Sequence, residues 1–188
     1  MSDLLTADDR RRLLSEARRA AAEALAGGRP APPSAEGVFS LRAGVFVSWH
    51  LGGALRGCIG QPSGDRPLGE TVGRCAIAAA TEDPRFPPVT AAELDTCDLE
   101  ISVLGPMTPV GQPAEILVGR HGLLVEQHGR RGLLLPQVAT EHGWDRETLL
   151  AHTCMKAGLP RDAWKTGARL FRFEAEVFGE PPAGTRLA

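Results

Sequence analysis

The sequence predicts an α+β fold in which an antiparallel sheet is flanked by helices. Two observations carry this. Stretches of alternating apolar and polar residues come in pairs joined by short Gly-containing turns, the pattern of antiparallel hairpins. Three helical stretches are separated from one another by those pairs, without the regular strand–helix–strand alternation that long parallel crossovers need.

Thr6 caps the first helix, with Asp9 at its third position and Asp8 beside it, both favourable near a helix N-terminus. Leu13, Leu14, Ala17, Ala21 and Leu25 recur at helical spacing, and Gly27-Gly28 ends the run. Residues 29–37 (RPAPPSAEG) form a Pro-rich connector. The arginines at 10–12, 18 and 19 read as the solvated face of that helix. Val45, Val47 and Trp49 then alternate with Phe46 and Ser48, Gly52-Gly53 turns the chain, and 55–60 returns as the partner strand. A second helix spans about 68–81, with Leu68, Val72, Cys75, Ala76 and Ala79 on one face, and Asp83-Pro84 closes it.

Leu99, Ile101 and Val103 alternate with Asp98, Glu100 and Ser102, which predicts a strand with one face in the core and one in water. A second hairpin joins 123–126 to 133–135. Asp145 caps a third helix that ends at Gly158, with Lys156 in its last turn and Pro160 just beyond. Phe171, Phe173, Ala175 and Val177 form one face of a single final strand.

Composition excludes several classes of function. With 43% hydrophobic and 23% charged residues, the chain has the balance of a folded globule and not of a disordered or collagen-like one. Lys plus Arg total 21 against 23 Asp plus Glu, so no net charge draws it to nucleic acid or anionic lipid. Aromatics are 5%, and none is interleaved among the arginines of the first helix, which argues against a base-stacking surface. The longest apolar run, 75–80, falls far short of the ~20 residues that a membrane span requires. Asp3, Asp8 and Asp9 stand where an export signal is basic or apolar, so a cytoplasmic protein with reduced thiols is expected.

The familiar chemical motifs are missing. No dinucleotide glycine fingerprint occurs, and the G-x-x-x-x-G spacing from Gly52 to Gly57 is followed by Cys58-Ile59 where a phosphate loop needs Lys and Ser or Thr. Cys58, Cys75, Cys97 and Cys154 are irregularly spaced with no C-x-x-C pair, so neither a structural zinc site nor a dithiol motif is expected. Cys75 and Cys154 fall in apolar helix stripes and read as packing.

The segment with the most chemistry is Leu55-Arg56-Gly57-Cys58-Ile59-Gly60. On a strand, Leu55, Gly57 and Ile59 face one way and Arg56, Cys58 and Gly60 the other. Arg56 then lies on the thiol's side, where a fixed positive charge favours the thiolate. The glycines mark close approach of a ligand or of another backbone. From spacing alone, a reactive thiol and a structural Cys beside a bulge both remain open.

LRGCIG at 55–60, DPRFPPV at 83–89, VGRHGLLVEQHG at 119–129, GLLLPQVATEHGW at 132–144 and KAGLP at 156–160 together resemble the AMMECR domain family, in its order, over about 38–178. The resemblance implies one domain with two unequal lobes, the larger assembled from N- and C-terminal parts. It implies no particular reaction, cofactor or metal. It does imply an association with Memo-like or radical SAM proteins in a cytoplasmic modification or metabolic pathway. The residues carried over are Arg56, Gly57, Cys58, Asp83, Arg85, Phe86, His121 and Gln137. This chain departs from the family in having no Tyr and a short Arg- and Pro-rich N-terminal region.

Two functions follow. In the first, a thiol-dependent enzyme uses Cys58 as nucleophile, His121 as general base, and Arg56 to lower the thiol pKa or bind an anionic group. In the second, a non-catalytic module uses Arg56, Gly57, Asp83, Arg85 and Gln137 to bind a small anion or a Memo-like or radical SAM partner. Asp83 and Arg85 also fit a loop held by a local ion pair.

Overall fold

A computed structural model describes residues 5–180; Asp3 lies outside the described residues. The fold is α+β, and the chain divides into two compact units. The first joins the described residues up to Val103 with those from Glu176 onward; the second is Leu104–Ala175. The larger unit is therefore built from both ends of the chain, and each unit has its own hydrophobic core.

The first unit opens with α1 (Ala7–Leu25). Its capping box is formed as the spacing predicts: the Thr6 hydroxyl accepts from Asp9 N–H, and the Asp9 carboxylate accepts from Thr6 N–H. Gly27 ends the helix with φ at +83°, a left-handed conformation that glycine adopts without strain. The arginines of α1 are not simply solvated. Arg10 pairs with Glu176, Arg18 with Glu180, and Arg19 with Glu16. Arg18 also donates to the carbonyls of Leu94 and Cys97 and stacks its guanidinium over Trp49.

A four-stranded sheet follows, in the order β2-β1-β3-β8. Its hairpin consists of β1 (Val45–Leu51) and β2 (Ala54–Gln61), and Gly52 and Gly53 both have positive φ. Strand β3 (Asp98–Leu104) pairs antiparallel with β1 on the other side. α2 (Leu68–Thr81) packs on the core face, and the five residues predicted to line that face are all buried. Trp49 is fully buried there, with its indole N–H donated to the Ala76 carbonyl at 3.0 Å.

The second unit contains β4 (Thr108–Pro109), β5 (Gly122–Gln127), β6 (Arg130–Leu134) and β7 (Arg169–Phe173), in the order β4-β7-β5-β6. The short helix α4 (Pro136–Glu141) and then α5 (Arg146–Lys156) complete it. The Asp145 carboxylate caps α5 by accepting from Thr148 N–H, as expected.

Each unit holds one of the two four-stranded sheets, and two expectations are corrected. The single final strand is in fact β7 and β8 (Ala175–Gly179), which belong to different sheets and different units. Side-chain alternation continues through Glu174, so it cannot register that the backbone changes partners there; the Glu174 carbonyl accepts from Gly105 N–H at 2.8 Å. Lastly, the polar face of β3 is not in water: Asp98 and Glu100 are half-buried and Ser102 is 3% exposed. Helix α3 (Ala91–Thr96) was not anticipated, although Thr90 and Glu93 form a complete capping box that the T-A-A-E spacing displays.

Candidate functional site

The two most distinctive sequence blocks form one physical unit. β2 is an edge strand, so alternate backbone groups along its outer side have no strand to pair with. At Cys58 that vacancy is filled by side chains. Cys58 N–H donates to Asp83 Oδ2 at 2.9 Å, and Arg85 Nη2 approaches the Cys58 carbonyl at 3.4 Å. A carboxylate and a guanidinium thus stand where a neighbouring strand would place its own acceptor and donor.

Asp83 is 6% exposed and accepts from three groups of Arg85: backbone N–H at 3.1 Å, Nε at 2.9 Å and Nη2 at 2.7 Å. These bonds from Arg85 first, and the one from Cys58 N–H with them, outweigh burial and hold the Asp83 carboxyl well below the usual carboxylate range. The Arg85 side chain remains 56% exposed, with its guanidinium 5.4 Å from the centre of the Phe86 ring. The loop-forming ion pair allowed for in the sequence is what holds 83–85 together.

Arg56 does not serve the thiol as expected. Its guanidinium donates to the Pro87 carbonyl at 2.6 Å and the Pro88 carbonyl at 3.2 Å, and pairs with Glu93 at 3.4 Å. Its charge is committed to the loop and to the start of α3. The Arg85 guanidinium also lies within electrostatic reach of Cys58, and the hydrogen bond that it donates to Asp83 is the first cause that raises the Arg85 pKa. Gly57 is required by close packing: a Cβ there would sit 2.0 Å from the Ala79 carbonyl oxygen of α2. A backbone approaches here, not a ligand.

Cys58 is half-buried, whereas Cys75, Cys97 and Cys154 are buried. Burial pushes the Cys75 thiol up to about 11 and raises those of Cys97 and Cys154. Among the described residues no His, Cys, Asp and Glu cluster of three or more could hold a metal ion. No helix among them is long and apolar enough to cross a membrane.

His121 and Gln137 belong to the second unit. His121 Nδ1 accepts from Leu117 N–H at 3.1 Å, closing the loop that leads into β5. Burial, followed by the nearby charges of Arg172 and Arg120, lowers its pKa, while Glu174 and a backbone hydrogen bond with Glu115 pull the other way. Gln137 lies in the first turn of α4, and its Oε1 is buried without a hydrogen-bond partner among the described residues. The structure therefore gathers Arg56, Gly57, Cys58, Asp83 and Arg85 into one cluster of the first unit, while His121 and Gln137 are residues of the second.

Both the sequence and the α+β fold have counterparts among known proteins. The AMMECR1 family model matches residues 14–178, and the chain belongs to that family. A protein of Methanothermobacter thermautotrophicus is 48% identical over 94% of this chain and 96% of its own length. One from Thermofilum pendens is 46% identical, over 94% of this chain and 92% of its own. The crystal structure of an uncharacterised protein from Pyrococcus horikoshii superposes with a TM-score of 0.89 at 41% identity, covering 96% of this chain and 95% of that one.

Proposed function

We propose that this protein is a thiol-dependent enzyme of a cytoplasmic modification or metabolic pathway, with Cys58 as nucleophile or covalent carrier. The observation that carries this reading is the contrast among four thiols of one chain. Three are buried, with their pKa raised by desolvation; Cys58 alone is partly accessible, with no hydrogen-bond partner for its sulfur among the described residues and a guanidinium nearby. Arg85 takes the electrostatic role that the sequence suggested for Arg56. His121 is not assigned as the base, because Nδ1 is occupied by Leu117 N–H and the ring also bonds the Glu115 backbone.

Alkylation of the folded protein, mapped by peptide mass spectrometry, tests the reading. Cys58 is expected to be modified first, with Cys75, Cys97 and Cys154 protected until the protein unfolds. Protection of Cys58 equal to that of the other three would overturn it.

A second reading rests on Arg85, whose side chain is more than half exposed and whose Nη1 has no partner among the described residues. Here the cluster is a recognition surface for an anionic ligand or a Memo-like or radical SAM partner. Arg85→Ala would then weaken capture, and Cys58→Ala would leave it unchanged.

A further inference from the structure

Cys58 is not isolated on its sheet face. The strand register sets Cys58 opposite Ser48 on β1, and Ser48 opposite Glu100 on β3. Directly paired residues project to the same face of a sheet. The core face at this level carries Trp49, Val47, Leu99 and Ile101, all buried, so the row Cys58–Ser48–Glu100 lies on the opposite face.

Backbone bonding sets the spacing. Cys58 N–H points out to Asp83, so Cys58 and Ser48 form the narrow, non-hydrogen-bonded kind of pair. Ser48 must then bond toward β3, making Ser48 and Glu100 the wide kind. The two separations of about 4.5 and 5.5 Å sum to about 10 Å from the Cys58 to the Glu100 backbone.

Glu100 stands out among the acidic residues. It is half-buried, yet it has no ion pair or hydrogen bond to any described residue. The other half-buried or buried glutamates are held: Glu16 by Arg19, Glu93 by Arg56, Glu126 by Arg131, Glu176 by Arg10 and Glu180 by Arg18, for example. Ser48 Oγ and Cys58 Sγ likewise have no hydrogen-bond partner among the described residues. Three adjacent groups in partial burial, none with a partner among the described residues, form a polar row with hydrogen-bonding capacity to spare. Arg85 stands beyond the Cys58 end of the row, over the free edge of β2.

The geometry points to a binding site for a small zwitterion across this face. Its cationic amino end would be held by Glu100 and Ser48, its acidic end by Arg85, and the atom that meets Cys58 would lie between. The inference deepens the thiol reading and rests on it for the role of Cys58.

Charged and neutral thiol reagents of similar size test it. The Cys58 thiolate attacks the sulfenyl sulfur of a methanethiosulfonate, the S–S bond breaks and methanesulfinate leaves. The rates for the aminoethyl (cationic), sulfonatoethyl (anionic) and methyl (neutral) reagents are read at Cys58 by mass spectrometry. A carboxylate at this range favours the cationic reagent by about fourfold over the neutral one, and Glu100→Gln should abolish that preference. Because Glu100 has no ion pair or hydrogen bond among the described residues, the Gln variant should keep the wild-type melting temperature. An unchanged cationic-to-neutral ratio in Glu100→Gln overturns the inference and leaves the thiol reading standing. If Cys58 is inert to the neutral reagent, the thiol reading fails instead. Binding of 6-aminohexanoate to the Cys58→Ser protein then decides the zwitterion site: a thermal shift lost in the Cys58→Ser, Glu100→Gln double variant supports it, and no shift in either overturns it.

Discussion

Asp83 shows how one side chain can have several structural duties. It terminates the outer edge of β2 at Cys58, closes the turn after α2, and anchors Arg85 beside the thiol. Its carboxyl ionises far more readily in the folded state than at the ordinary value of 3.8. The stability it contributes is therefore complete above about pH 4 and is lost as the pH falls below that value. Asp83→Ala should cost about 1–3 kcal/mol at neutral pH, chiefly by leaving Cys58 N–H without its acceptor, since the Arg85 half of the pair is too exposed to count for much. Denaturant titrations across the acid range should show a shallower pH dependence for the variant than for the wild type. An equal dependence would mean that other carboxylates govern acid unfolding.

The edge of β2, the loop after α2 and the start of α3 behave as one element, although 30 or more residues separate their ends. Arg56 is the clasp: it bonds two successive proline carbonyls and the Glu93 carboxylate that also closes the α3 capping box. Proline carbonyls in an irregular loop have no ladder to join, so a guanidinium fork suits them. Arg56→Ala should speed amide hydrogen exchange in the part of α3 that Glu93 anchors, while β5 and β6 in the other unit keep their protection. Exchange unchanged in α3 would show that the Thr90 cap alone holds it. The sequence already placed a charged Arg on the thiol's side of the strand. It could not show that this charge turns away to the loop, because alternation gives the face of a side chain and not its partner.

At the level of the whole chain, the first unit needs both ends of the polypeptide. Strand β8 borders β3, and Glu176 and Glu180 receive Arg10 and Arg18 from α1. A chain ending at Ala175 should lose exchange protection in α1 and β3 before it does so in β5, β6 and β7. Simultaneous loss throughout would show one cooperative unit instead of two.

Helices α1, α2 and α5, both hairpins and the burial of Cys75 and Cys154 were legible in the sequence. Each is dictated over short range, by a capping residue, a glycine with positive φ, or an apolar period that matches one element. The resemblance supplied the family and the larger lobe's origin in both chain ends, and the structure bears out that two-part assembly. What required tertiary structure was every relation between distant segments: the division of the last strand between two sheets, the capping of Cys58 by Asp83 and Arg85, and the row that joins Cys58 to Ser48 and Glu100. Local pattern records which residues prefer burial, but register across strands and the partners of charged groups are settled only when separated segments pack together.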